Sequence, residues 1–182
     1  MGLIVAIVVI VVLALVLVGI YNRLVGLRQT CKQGLADIDA QLRQRHDLIP
    51  NLVATVKGYA AHEQDTFEKV IAARNRAESD RTPESEAELS GALGRLLALG
   101  EAYPELKANT NFVALQGELS DVEDKLAAAR RALNAASARY NTARESFPAV
   151  LFAGSMGFQP MDFHELSASE RPTVGAVPKI EF

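Results

Sequence analysis

The sequence predicts an all-α protein: an N-terminal transmembrane helix that continues into an antiparallel four-helix bundle. Three observations predict it. Leu3–Ile20 reads LIVAIVVIVVLALVLVGI, eighteen residues without a charge, an amide or a hydroxyl. Beyond it, apolar residues recur at three-four spacing over long stretches, the period of a helix with one buried face. The remaining chain is rich in alanine, leucine and charged residues, with no Trp and few glycines or prolines until its C-terminal third. That is the composition of helices packed on helices.

At 1.5 Å per residue the apolar run spans about 27 Å, close to the roughly 30 Å hydrocarbon core of a bilayer. Tyr21 follows where an interfacial aromatic belongs, and Asn22 and Arg23 close the run. A cleaved signal peptide would want a basic leader, a shorter apolar core and a small-residue cleavage site, and a lipoprotein anchor would want a cysteine. The run has none of these, so residues 1–22 are expected to be a retained transmembrane anchor. Arg23, Arg28 and Lys32 all precede the first acid, Asp37. The positive-inside bias then places the N-terminus outside and the soluble part in the cytoplasm.

Residues 23–148 are expected to form the bundle. The first bundle helix carries two apolar rows, Leu24, Cys31, Ile38, Arg45, Leu52 and Tyr59 beside Arg28, Leu35, Leu42, Ile49 and Val56. Pro50 falls inside it, but the spacing keeps its register across the proline, which predicts a kink and not a stop. Gly58 is the expected terminator, through a left-handed cap. A second helix is predicted from about His62 to Glu78, with Phe67, Val70 and Ile71 in a shifted register. The polar turn SDRTPES (79–85) follows, with Pro83 at the first position of the next helix. That third helix, Glu84 to Ala102, carries Leu89, Leu93, Leu96 and Leu97 and ends at Tyr103-Pro104. Its glycines, Gly91, Gly94 and Gly100, are costly in a helix and are expected where another backbone approaches closely.

The last helix has the cleanest pattern. Phe112, Leu115, Leu119, Val122, Leu126, Ala129, Leu133, Ala136, Tyr140, Ala143 and Phe147 follow an unbroken three-four spacing up to Pro148. The alanines allow a neighbouring helix to come near. Residues 149–182 differ in texture: an apolar Gly/Pro-rich stretch, a flexible tail over 167–176, and a terminal VPKIEF that could dock on the bundle. Counting helix directions returns the end of the last helix to the level of Arg23. Tyr21, Arg23, Phe147, Leu151, Phe152 and Phe158 are therefore candidate membrane-interface residues, with a cap over the bundle as the alternative.

Chemistry is sparse. His62-Glu63 and His164-Glu165 lack the second histidine of a zinc-protease motif, and His46 stands alone, so no metal is expected. No glycine-rich phosphate loop follows a strand, and neither a cofactor nor a small-molecule substrate is evident. The formal charge of −3, without a basic patch interleaved with aromatics, argues against nucleic acid. Cys31 is the only cysteine, so no internal disulfide forms. The first bundle helix nevertheless gathers polar residues among its apolar ones. Asp37, Asp39, Arg45, Asp47, Pro50 and Asn51 form a candidate interaction site; alternatively, Arg45 pairs with a carboxylate from another helix.

Long blocks of the chain have a familiar order: YNRLVGLRQ (21–29), DIDAQLRQRHDLIPNLVATVKGYAAHE (37–63), ELSGALGRLLALGEAYPELKAN (88–109), ELSDVEDKLAAARRALNAASARYNTARESFP (118–148) and VPKIEF (177–182). In these blocks the chain resembles the LemA family of bacterial membrane proteins. The resemblance implies a single N-terminal transmembrane helix, an antiparallel helical bundle and no established catalytic activity. It also implies protein partners or self-association in envelope organisation or quality control. A membrane-tethered hydrolase with an unrecognised site is the alternative. The chain departs from the family at Gly100, where alanine is more usual, and follows it only loosely beyond Gly154.

Overall fold

The computed structural model describes residues 1–163; His164, the predicted tail and VPKIEF lie outside the described residues. Among the described residues there are five α-helices: α1 Gly2–Lys57, α2 Gln64–Asp80, α3 Pro83–Ala102, α4 Pro104–Lys107 and α5 Thr110–Glu145. A 3-10 turn, Ala149–Leu151, follows. The all-α bundle is therefore as expected, with one addition. Tyr103-Pro104 ends α3 but starts the single-turn α4, which buries Leu106.

α1 runs unbroken from the apolar segment into the bundle, with Pro50 inside it. Its first part is long and apolar enough to cross a membrane, and that window is wholly exposed. Lacking an N–H, Pro50 cannot serve the carbonyl four residues back, which belongs to His46. The Nε of Arg74 on α2 donates to that carbonyl instead, at 2.9 Å. Gly58 does end the helix, but not by a left-handed cap. The N–H groups of Tyr59 and Ala60 both turn back to the Val56 carbonyl, and Gly58 has no positive φ. The left-handed residue is Arg81, at φ 51° after α2, where the sequence offers no glycine. Thr82 then caps α3 in a reciprocal pair with Ser85, and Pro83 takes the first helical position as predicted.

The chain divides into two compact units. The first comprises Met1–Ile38 and Ala128–His164. Here Leu24, Cys31 and Ile38 of α1 and Leu133, Ala136, Tyr140 and Ala143 of α5 are buried, while Leu35 is exposed. Gly34 lies so close to α5 that a Cβ there would meet the Leu133 Cα at 3.3 Å. The second unit contains Asp39–Ala127. Its core joins Ile49, Leu52 and Val56 of α1, Phe67 and Val70 of α2, Leu89, Leu93 and Leu96 of α3, Leu106, and Phe112 and Leu119 of α5. Pairing runs antiparallel, since Arg45 meets Glu123 while Tyr59, further along α1, meets Asn109. Tyr59 itself is exposed, and Arg45 replaces an apolar residue inside.

The α3 glycines correct the expectation of close backbones. A Cβ at Gly91 or Gly94 would meet nothing within 4 Å. At Gly100 the close neighbour is a side chain, the Phe112 ring, at 2.8 Å from the ideal Cβ position.

Candidate functional site

In the second unit, the three-four spacing aims Arg45 inward, where only 2% of it is exposed. Its planar fork fits carboxylates and uses both terminal nitrogens. Nη1 donates to Glu86 Oε2 at 3.0 Å; Nη2 donates to Ser90 Oγ at 2.7 Å and contacts Glu123 Oε1 at 2.8 Å. His46 Nε2 lies 3.0 Å from Glu86 Oε1, so both oxygens of this buried carboxylate are engaged. The Ser90 hydroxyl in turn donates a hydrogen bond to the Glu86 main-chain carbonyl. Charges taken out of water this far must be paired, and these are, although the Arg45 Nε finds no hydrogen-bond partner among the described residues. Beside them opens a cleft of about 160 Å³ lined by Asp39, Arg43, His46, Asp47, Glu78 and Arg81. It is smaller than the roughly 300 Å³ at which ligand pockets begin.

In the first unit, the chain after α5 folds back on its own helices. Gly157, at φ 78°, permits the turn that sends Phe158 inward, where it is buried. The Phe158 ring meets the Tyr21 ring edge-on at 5.4 Å, and the Arg28 guanidinium stands 5.0 Å from its centroid. α5 fastens the segment through main-chain groups. Tyr140 donates its hydroxyl to the Gln159 carbonyl at 2.8 Å, and Arg144 Nε donates to the Phe158 carbonyl at 2.8 Å. Asn141 holds Met161 from both sides, donating to its carbonyl at 2.7 Å and accepting its N–H at 2.9 Å. Burial pushes the Tyr140 phenol above its ordinary pKa of 10.0, against the opposing pull of Arg28 and Arg144.

The LemA family's sequence model matches residues 34–182. The chain belongs to the LemA family. Because the match begins at residue 34, it covers the bundle and not the apolar run. The LemA chain is 24% identical over 185 residues to the magnetosome protein MamQ of Magnetospirillum gryphiswaldense, covering 85% of this chain and 68% of that relative. It is 32% identical over 84 residues to MamQ 2 of Paramagnetospirillum magneticum, covering 46% of this chain and 31% of that relative. MamQ 1 of the same organism matches to the same extent. Family, relatives and apolar helix together make this a membrane-associated helical protein.

In this LemA protein the five polar candidates of α1 and Pro50 stand in different surroundings. Arg45 is interior and committed to Glu86, Ser90 and Glu123, as the ion-pair alternative has it. Asp39 and Asp47 share the cleft. Asp37 belongs to the first unit; Pro50 and Asn51 are exposed, and Pro50 acts through the His46 carbonyl. The sequence reading missed Glu86, Ser90 and Glu123, because nothing in ESEAELS (84–90) marks one glutamate as interior. Of the six interface candidates, Tyr21, Arg23, Phe147 and Leu151 are exposed and Phe152 is half-buried. Phe158 is corrected: its ring is packed against Tyr21 and Arg28 and is closed to outside contact.

Proposed function

We propose that this LemA-family protein is a membrane-anchored, non-catalytic scaffold. It spans the bacterial inner membrane through residues 1–22 and presents its bundle to protein partners or further copies of itself on the cytoplasmic side. The observation that carries the reading is the continuity of α1. One helix includes both the exposed apolar window and the buried rows of the bundle, so the anchor is built into the bundle and not joined by a linker. The commitment of Arg45, His46 and Glu86 to one another supports a structural and not a reactive role for these groups. Relatives named for a cellular structure and not for a reaction point the same way. Arg23, Arg28 and Lys32 just beyond the apolar run support the cytoplasmic orientation.

Crosslinking and pull-down of the intact protein in its own membrane tests the reading. A reproducible partner set, or a defined self-crosslink, is expected. Hydrolytic turnover that disappears in Glu86→Gln, with no crosslinked species, would replace the scaffold by the membrane-tethered hydrolase. Orientation is tested in a Cys31→Ala background carrying Asp47→Cys. An impermeant maleimide should leave intact spheroplasts unlabelled and label them after lysis; labelling before lysis reverses the topology.

A further inference from the structure

The segment after α5 does more than cover Phe158. Phe147 is 81% exposed, Leu151 71% and Val150 51%, and Met156 is exposed beside them. Such a group of apolar side chains on one short stretch is not the scatter normal to a protein surface. Nor can it drift, because the hydrogen bonds from Tyr140, Asn141 and Arg144 hold the residues that follow.

Where the stretch is held is the deciding point. Phe158 touches Tyr21, which directly follows the apolar run, and Arg28, seven residues and about 10 Å further along α1. The segment is therefore fastened within the first two turns beyond the span. Headgroups occupy roughly 5–8 Å on each side of the hydrocarbon core, so this is the depth of the interface.

Charge agrees. Within residues 1–38 and 128–163, seven Lys/Arg stand against three Asp/Glu, a surplus of four. Residues 39–127 hold ten against sixteen, a deficit of six. The unit that carries the span is cationic inside a chain that is acidic as a whole. An exposed apolar group in a cationic unit fits an anionic lipid surface.

We propose that Phe147, Val150, Leu151 and Met156 form a second, peripheral contact with an anionic bilayer surface, fixed beside the transmembrane helix by the Phe158–Tyr21–Arg28 stack. The inference rests on the reading of α1 as a membrane span. The stretch is too short and too rich in glycine and proline to be a span itself. It lies on the surface, with its apolar side chains among the upper acyl chains and the cations of the first unit on the side of the phosphates.

The absence of Trp makes the test direct. The full-length protein is reconstituted into phosphatidylethanolamine–phosphatidylglycerol vesicles with a single tryptophan at Leu151→Trp, Val9→Trp or Val113→Trp, and lipids brominated at shallow or deep acyl positions are used as quenchers. Circular dichroism checks that each variant keeps its helices. Trp at 151 should emit at shorter wavelength than Trp at 113 and be quenched most by shallow bromines; Trp at 9 should be quenched most by deep ones. Replacing phosphatidylglycerol by phosphatidylcholine should weaken quenching at 151 and leave it unchanged at 9. Quenching at 9 but not at 151 overturns the peripheral contact while leaving the anchor intact. No quenching at 9 overturns the anchor. Equal quenching at 151 and 113 replaces the defined contact by general adsorption, and quenching at 151 indifferent to lipid charge removes the anionic surface from the proposal.

Discussion

The Nε of Arg74 donates to the main-chain carbonyl of His46, the carbonyl that Pro50 leaves without its helical partner. A proline inside a helix costs about 3 kcal/mol, partly through this lost bond. Here a side chain from α2 restores the bond, so α1 passes through the proline unbroken.

Arg74→Met should therefore cost about 1–3 kcal/mol, the penalty for orphaning a buried carbonyl. In a Pro50→Ala background the carbonyl regains its own N–H, and the cost should fall to less than half. A double-mutant cycle by urea denaturation measures the difference. Equal losses in both backgrounds would assign the effect to the Arg74–Glu78 pair instead.

Arg45→Met leaves the Glu86 carboxylate buried without its main partner and should destabilise by about 3–5 kcal/mol. Adding Glu86→Leu removes the stranded charge, and most of the loss should return, since buried pairs are often replaceable by well-packed apolar residues. Thermal melts followed by circular dichroism compare the single and double variants. If the double variant is no more stable than Arg45→Met, Glu86 has a second role, for which His46 at 3.0 Å is the candidate partner.

The glycines should separate into two classes. Gly91→Ala and Gly94→Ala meet open space in a helix interior and should each raise stability by about 0.5–1 kcal/mol. Gly34→Leu drives a side chain at the Leu133 backbone and should lower it by about 1–3 kcal/mol. Leu133→Ala, on the other side of that contact, should cost about 2–5 kcal/mol. A melt for Gly34→Leu that matches the parent would show that α1 and α5 can separate there without loss.

Tyr140 supplies the pH dependence. Its pKa is raised in the folded state, so it stabilises below the unfolded value near 10 and loses that contribution as pH rises through the higher folded value. Ionisation also removes the proton donated to Gln159. Stability should thus fall above pH about 10. Tyr140→Phe should cost about 0.5–1.5 kcal/mol at neutral pH and flatten that alkaline decline. An unchanged alkaline slope would assign the decline to other groups.

The helices were legible because burial imposes a period. Leu24, Cys31, Ile38, Leu52 and the α5 series from Phe112 to Ala143 follow it, whereas Tyr59 and Phe147 extend the spacing past the buried stretch and are exposed. Arg45 was legible as an anomaly on a buried row, but its partners were not. Glu86 and Glu123 are common residues in helices rich in them, and only the packed arrangement selects them. The Pro50 compensation could have been read half-way: the proline names the His46 carbonyl as orphaned, but not the arginine that meets it. Least legible was the fastening of residues 158–161. Tyr140, Asn141 and Arg144 hold main-chain carbonyls, which every residue has, so no side-chain pattern marks where they attach.

With α1 as the span proposed above, its unbroken course also makes the first unit responsive to bilayer thickness. An apolar run of about 27 Å meets a thicker or thinner hydrocarbon layer by changing its tilt, at small cost per ångström. With no hinge between Ile20 and Leu24, the part of α1 in the first unit inclines by the same angle. Within the first unit, Ile20 to Ile38 is about 27 Å, so a change of about 10° moves Ile38 by about 5 Å. A difference of a few ångströms between membranes becomes a displacement of similar size where α1 leaves the first unit.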